Sequence, residues 1–103
     1  MRDHVVAVDI GTGSARAGVF DARGRLLAKA EHPIVMNRPR ENHAEHDSED
    51  IWSAACMAVR RAMEQSGIAA ASVGAIGFDA TCSLVVRDVE GLQLSVSTGG
   101  ERR

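Results

Sequence analysis

Apolar residues in the first third of the chain fall into short runs separated by turn residues, which is the pattern of strands rather than helices. Val5, Val6, Ala7 and Val8 lead into Asp9, a turn carries Gly11, Thr12, Gly13 and Ser14, and Val19 and Phe20 precede a second turn at Asp21-Ala22-Arg23-Gly24. Too few residues separate those turns for an ordinary helix of about 11–12 residues. A strand, a turn and a second strand are therefore expected. Residues 25–35 read as a third strand, with Pro33 marking an edge or an end. Three strands joined by tight turns predict an antiparallel meander. The polar stretch 36–46, with Pro39 and Asn42, is expected to be a loop.

The period then changes. Asp47 stands where an N-cap belongs, Asp50 follows three residues on in the manner of a capping box, and Glu49 with Asp50 suits the positive end of a helix dipole. Trp52, Ala55, Cys56, Val59 and Met63 follow helical spacing and predict one buried stripe, with Trp52 as a core anchor rather than a substrate platform. Gly67 is placed to end the helix. Residues 73–78 form an apolar run that predicts a strand buried on both faces. Asp79, Ala80, Thr81, Cys82 and Ser83 interrupt it. Extended structure resumes at 84–86, Glu90-Gly91 marks a turn, and residues 92–96 are expected to form a last short strand. Meander, helix and buried strand together predict an α/β domain with a mixed sheet.

Composition narrows the function classes. A chain of 103 residues is one domain, and its formal charge of −2 with mixed signs offers no nucleic-acid surface. No apolar run reaches the roughly 18 residues of a membrane span, and the N-terminus lacks a signal-peptide profile. Cys56 and Cys82 have neither metal nor redox spacing and read as free thiols of a cytoplasmic protein. His43 and His46 lack the further ligands that zinc requires.

The chemistry concentrates at Asp9 to Arg16. A P-loop would need Lys before Ser or Thr after the glycines, and a dinucleotide fingerprint would need glycine where Arg16 stands. Glycines let backbone N–H groups approach phosphate oxygens, hydroxyls add donors, and a carboxylate can hold hydrated magnesium. A turn that uses Gly and Ser only to reverse the chain explains the same loop residues. Asp9 favours the phosphate reading, because aspartate is depleted in strands. Asp9 and Asp79 both end strands and are expected to face one crevice, where open α/β sheets bind ligands.

Asp9-Ile10-Gly11-Thr12-Gly13-Ser14-Ala15-Arg16 resembles the D-x-G-T-x-S-x-R opening of the FGGY-family carbohydrate kinases, of the actin-like ATPase superfamily. The segment from Ala44 through Glu45, His46, Asp47 and Ser48 to Trp52 is similar to the lead into that family's first helix, which often has Pro where Ser48 stands. The stretch from Gly77 to Val85 resembles the ribulokinase-like branch. These blocks fall in family order along nearly the whole chain.

The resemblance implies a ribonuclease-H-like α/β fold: a mixed sheet with a β-meander, then helix and further strands. Residues 1–103 correspond to the N-terminal part of the first actin-like domain, without the second. It also implies ATP and magnesium as cofactors, and a pentulose or similar polyol as acceptor of the γ-phosphate. By similarity, Asp9 acts on the metal, while Gly11, Thr12, Gly13, Ser14 and Arg16 bind nucleotide phosphate. A structural salt bridge is the alternative for Arg16. Asp79, Ala80, Thr81, Cys82 and Ser83 line the sugar side, and a buried structural carboxylate is the alternative for Asp79. Glu45 and Asp47 are structural. The family's general-base aspartate lies downstream of the motifs found here, so the chain resembles a kinase fragment that binds nucleotide weakly and does not turn over. The alternative is a non-catalytic actin-like ATP-binding or interaction module.

Overall fold

The computed structural model describes residues 2–40, 43–80 and 86–93. Strands β1 (His4–Ile10), β2 (Ser14–Phe20) and β3 (Leu26–Pro33) form the expected antiparallel meander. Asp21 closes the β2–β3 turn: its Oδ1 accepts from the backbone N–H of Arg23 and of Arg25, both at 2.9 Å, and Oδ2 accepts from Arg25 Nε at 2.8 Å. Those donors, led by the Arg25 backbone N–H, hold the carboxyl below its ordinary value, against a smaller opposing effect of desolvation.

Residues 36–46 are not a plain loop. They pair as a short hairpin, β4 (Met36–Arg40) with β5 (His43–His46), with a register irregularity between Asn37 and Arg40. Helix α1 (Ser48–Ser66) follows, then a 3-10 turn (Ala70–Ser72) and strand β6 (Val73–Ala80). β6 pairs in parallel with β1, giving a four-stranded mixed sheet of order β3-β2-β1-β6. The meander-helix-strand order and the mixed sheet agree with the sequence.

Both helix ends follow from their residues. Asp47 Oδ1 accepts from the Glu49 N–H at 2.9 Å, and Gly67, at φ +73°, ends the helix by donating its N–H to the Met63 carbonyl at 3.2 Å. The capping box is incomplete, because the Asp50 carboxylate accepts from the Val35 N–H at 2.7 Å instead of returning to the cap. Asp50 thus ties the helix start to the chain leaving β3.

The buried stripe of α1 is rotated from the expected one. Ala54, Ala55, Ala58 and Ala62 are buried, against Val6 and Val8 of β1 and Ala15, Ala17 and Val19 of β2. Val59 and Met63 pack at the margin of this core, but Trp52 is 63% exposed and is no core anchor. Alanine wins this face because it lets the helix lie close across β2 and β3, where a bulky side chain would overpack. Strand β6 also departs from expectation. Among the described residues it is an edge of the sheet, with Ile76 48% and Phe78 63% exposed, because α1 covers β2 and β3 rather than β6.

Candidate functional site

Strand alternation sorts the sheet into two faces. Val6 and Val8 turn towards α1, so Ala7 and Asp9 lie on the opposite face; on β2, Ala15, Ala17 and Val19 turn towards the helix and leave Arg16 and Gly18 opposite. Register then lines up one charged row across the open face. Glu31 of β3 stands beside Arg16 of β2, Arg16 beside Asp9 of β1, and Asp9 beside Asp79 of β6. Arg16 donates to Asp9 Oδ2 at 2.8 Å. Asp9, Arg16, Lys29 and Asp79 share an open groove of about 480 Å³ with Ala7, Gly18, Phe20 and Gly77. The expected juxtaposition of Asp9 and Asp79 is therefore present.

Arg16 and Asp9 are about half exposed, at 53% and 49% of their side chains, and such a pair contributes no more than about 1 kcal/mol to stability. Asp9 and Asp79 are neighbouring like charges, an unfavourable cross-strand arrangement that a cation relieves. Magnesium takes oxygen ligands from one or two carboxylates and completes its shell with water and phosphate. A half-exposed Asp9 and an exposed Asp79 on neighbouring strands fit that habit, and among the described residues no group of three or more metal-ligating side chains occurs. Asp9 and Asp79 are thus chemically suited to a hydrated divalent cation.

The turn at the end of β1 is a two-residue loop, Thr12 and Gly13, closed by the Gly11 N–H donating to the Ser14 carbonyl at 2.9 Å. Neither Gly11 nor Gly13 has positive φ, so chain reversal alone does not call for glycine at either position. Space does. A Cβ on Gly13 would meet nothing within 4 Å, and one on Gly11 would stand 3.0 Å from the Arg16 guanidinium that holds Asp9. Both carbonyls of the loop are tied down: His46 Nε2 lies 2.9 Å from the Thr12 oxygen, and the Ile34 N–H donates to the Gly13 oxygen at 2.9 Å. Ser14 already donates its hydroxyl hydrogen to Glu31 Oε2 at 2.7 Å.

On the other side of the sheet, residues 87–93 return as a narrow turn bridged from Arg87 to Gln93. Arg87 donates to Ser48 Oγ at 2.6 Å and lies 3.2 Å from Glu49 Oε1, beside the start of α1. Gln93 takes the Ser48 N–H at 2.6 Å and donates to the His46 carbonyl at 3.0 Å. Asp79 and Ala80 end β6, whereas Thr81, Cys82 and Ser83 lie outside the described residues. So do residues 94–96 of the expected last strand, and the Glu45 side chain. Cys56 is a free, half-buried thiol. No described helix is long and apolar enough to cross a membrane.

Sequence reasoning missed Glu31, Lys29, His46 and Gln93. The first two were legible once the meander register was fixed. His46 acts across 34 residues, and no local spacing points to it.

A strand-turn-strand bearing a carboxylate, a helix crossover and a parallel edge strand make up the first part of an actin-like ATPase fold. The solved gluconate kinase of Lactobacillus acidophilus superposes on 89% of the chain with a TM-score of 0.80 at 18% identity, using 18% of its own length. Residues 4–94 match the N-terminal domain of the FGGY family of carbohydrate kinases, and the chain belongs to that family. A human FGGY carbohydrate kinase domain-containing protein is 45% identical over 98 residues, covering 95% of this chain and 17% of the relative. The D-ribulokinase of Saccharomyces cerevisiae is 51% identical over 81 residues, covering 79% of this chain and 11% of that protein. The chain thus spans less than a fifth of the length of these relatives.

Proposed function

We propose that this chain is the N-terminal part of a sugar kinase that transfers the γ-phosphate of ATP to a hydroxyl of a pentulose or similar polyol. It supplies the phosphate turn and the metal carboxylate of that enzyme's first actin-like domain. One observation carries the reading: the loop after β1 keeps Gly13 where neither the backbone nor a neighbouring atom demands it, and the Asp9 carboxylate at the end of the same strand opens onto a groove shared with Asp79. The similarity to yeast D-ribulokinase supports a five-carbon ketose as acceptor.

Catalysis of phosphoryl transfer is mostly positioning and charge stabilisation. Asp9 would hold a hydrated magnesium ion, with the Asp79 carboxylate of the neighbouring strand beside it. When bound, the ion neutralises charge on the polyphosphate oxygens. The N–H groups of Thr12 and Gly13 and the Thr12 hydroxyl donate to phosphate. The Ser14 hydroxyl holds Glu31 and so fixes the β2–β3 side of the turn. Arg16 anchors Asp9 by its ion pair at 2.8 Å, and its guanidinium would be within reach to pair with phosphate charge at this strand end. Residues 79–83, from Asp79 to Ser83, line the acceptor side, with the Thr81 and Ser83 hydroxyls as sugar contacts. The proton of the attacking hydroxyl goes to an aspartate of the second half of the enzyme.

The test is sugar-dependent ADP release, measured on the 103-residue chain and on the same chain joined to the downstream halves of its yeast relative. The chain alone is expected to be silent. The joined protein is expected to act on pentuloses and to lose at least about a hundredfold in kcat on Asp9→Asn, as charge-stabilising groups typically do. Full activity of that variant contradicts the reading.

A further inference from the structure

Of the groups that the proposed chemistry leaves unassigned, the imidazole of His46 touches the candidate phosphate turn most directly. It sits at the end of β5, immediately before the helix cap Asp47, and Nε2 lies 2.9 Å from the Thr12 carbonyl oxygen. The carbonyl only accepts, so Nε2 carries the hydrogen and donates it. His46 is itself held: its own carbonyl accepts from the Gln93 amide at 3.0 Å, and the same Gln93 takes the N–H of Ser48 at 2.6 Å. The imidazole is thus fixed by the first turn of α1 and the 87–93 segment.

A trans peptide is a rigid plane whose C=O and N–H point opposite ways. No peptide bond in the described chain is cis. Pinning the Thr12 oxygen therefore aims the Gly13 N–H to the opposite side. That N–H makes no hydrogen bond among the described residues, and a Cβ on Gly13 would meet nothing within 4 Å. Without the imidazole, the Thr12-Gly13 plane is free to rotate and turn its carbonyl, a repulsive partner for phosphate, towards the ligand.

We infer that His46 is a positioning residue for nucleotide phosphate: it donates from Nε2 to the Thr12 carbonyl and so presents the Gly13 N–H to the polyphosphate. The inference rests on the proposed role of the turn. It also makes the 87–93 segment, through Gln93 and His46, part of the support of the turn after β1.

The experiment measures Mg·ATP binding to the purified chain by amide chemical shifts, in the parent chain, His46→Gln and His46→Leu. The side-chain amide of Gln preserves a donor; Leu does not. Leu is expected to weaken binding about tenfold, ~1.4 kcal/mol, and to shift the Thr12 carbonyl carbon, while Gln restores both to within about threefold. Unchanged binding in His46→Leu overturns the inference and leaves the proposed function standing. Equal loss in both variants also overturns it, since the donor would not matter. Absence of binding in the parent chain overturns the proposed function and this inference with it. Should His46→Leu fail to fold, the ring nitrogens of the unaltered chain decide. A hydrogen on Nε2 at neutral pH supports the inference, and one on Nδ1 alone overturns it.

Discussion

At the scale of single residues, Asp9 separates stability from function. Its ion pair with Arg16 is half exposed, so Asp9→Asn is expected to lower stability by less than about 1 kcal/mol. Chemical denaturation checks that. The same variant is expected to lose magnesium-dependent nucleotide binding, because the carboxylate is the group with affinity for the cation. The position of this carboxylate was legible in the sequence, as an acid near a strand end followed by a turn of glycines and hydroxyls. Its bracing was not. Glu31 holds Ser14, and His46 holds Thr12, through contacts that join residues 17 and 34 positions apart. Such pairings depend on strand register and on where a hairpin folds back, which no spacing encodes.

At the scale of elements, helix α1 carries two apolar stripes at the same spacing, one residue apart. One is Ile51, Ala54, Ala58 and Ala62; the other is Trp52, Ala55, Cys56, Val59 and Met63. Side-chain size favours the second in a sequence reading, but close packing against the sheet buries Ala54, Ala58 and Ala62 of the first with Ala55 of the second, and leaves Trp52 outside. Ala58→Leu is therefore expected to cost about 1–3 kcal/mol by overpacking. Trp52→Ala is expected to fall well short of the roughly 3–5 kcal/mol typical of a core tryptophan. Thermal unfolding of both variants checks the order, and the reverse order would restore Trp52 to the core. The β4–β5 hairpin escaped notice for a related reason: its residues are polar and include Pro39, and backbone pairing leaves no mark on hydrophobic period. The apolar run of β6 suggests burial on both faces because such a run looks the same whether or not a second layer covers it.

The β2–β3 turn makes a pH prediction of the same scale. Hydrogen bonds from Arg25 and Arg23 lower the Asp21 pKa from its ordinary 3.8. A carboxyl whose folded pKa is depressed stabilises the fold above its unfolded pKa, and that contribution disappears as pH falls through the lower folded value. The melting-temperature difference between the parent chain and Asp21→Asn is therefore expected to be present at neutral pH and to close under acid conditions below 3.8. A difference independent of pH would mean that the turn does not need the charge.

At the scale of the whole molecule, the meander, crossover helix and parallel strand bring two strand ends, Asp9 and Asp79, to one groove, and the sequence order alone anticipated that meeting. The chain covers 17% of the length of its human relative. Phe78 of β6 and Trp52 of α1 are both 63% exposed. The claim that organises all of this is that Asp9 and the loop after it grip a metal-bound polyphosphate. A titration of the isotope-labelled chain with ATP, with and without magnesium, tests it most directly. Shifts centred on Gly11, Thr12 and Gly13 that need magnesium and vanish in Asp9→Asn are expected. Shifts that ignore magnesium, or that fall on α1 while the loop stays silent at millimolar nucleotide, would contradict it.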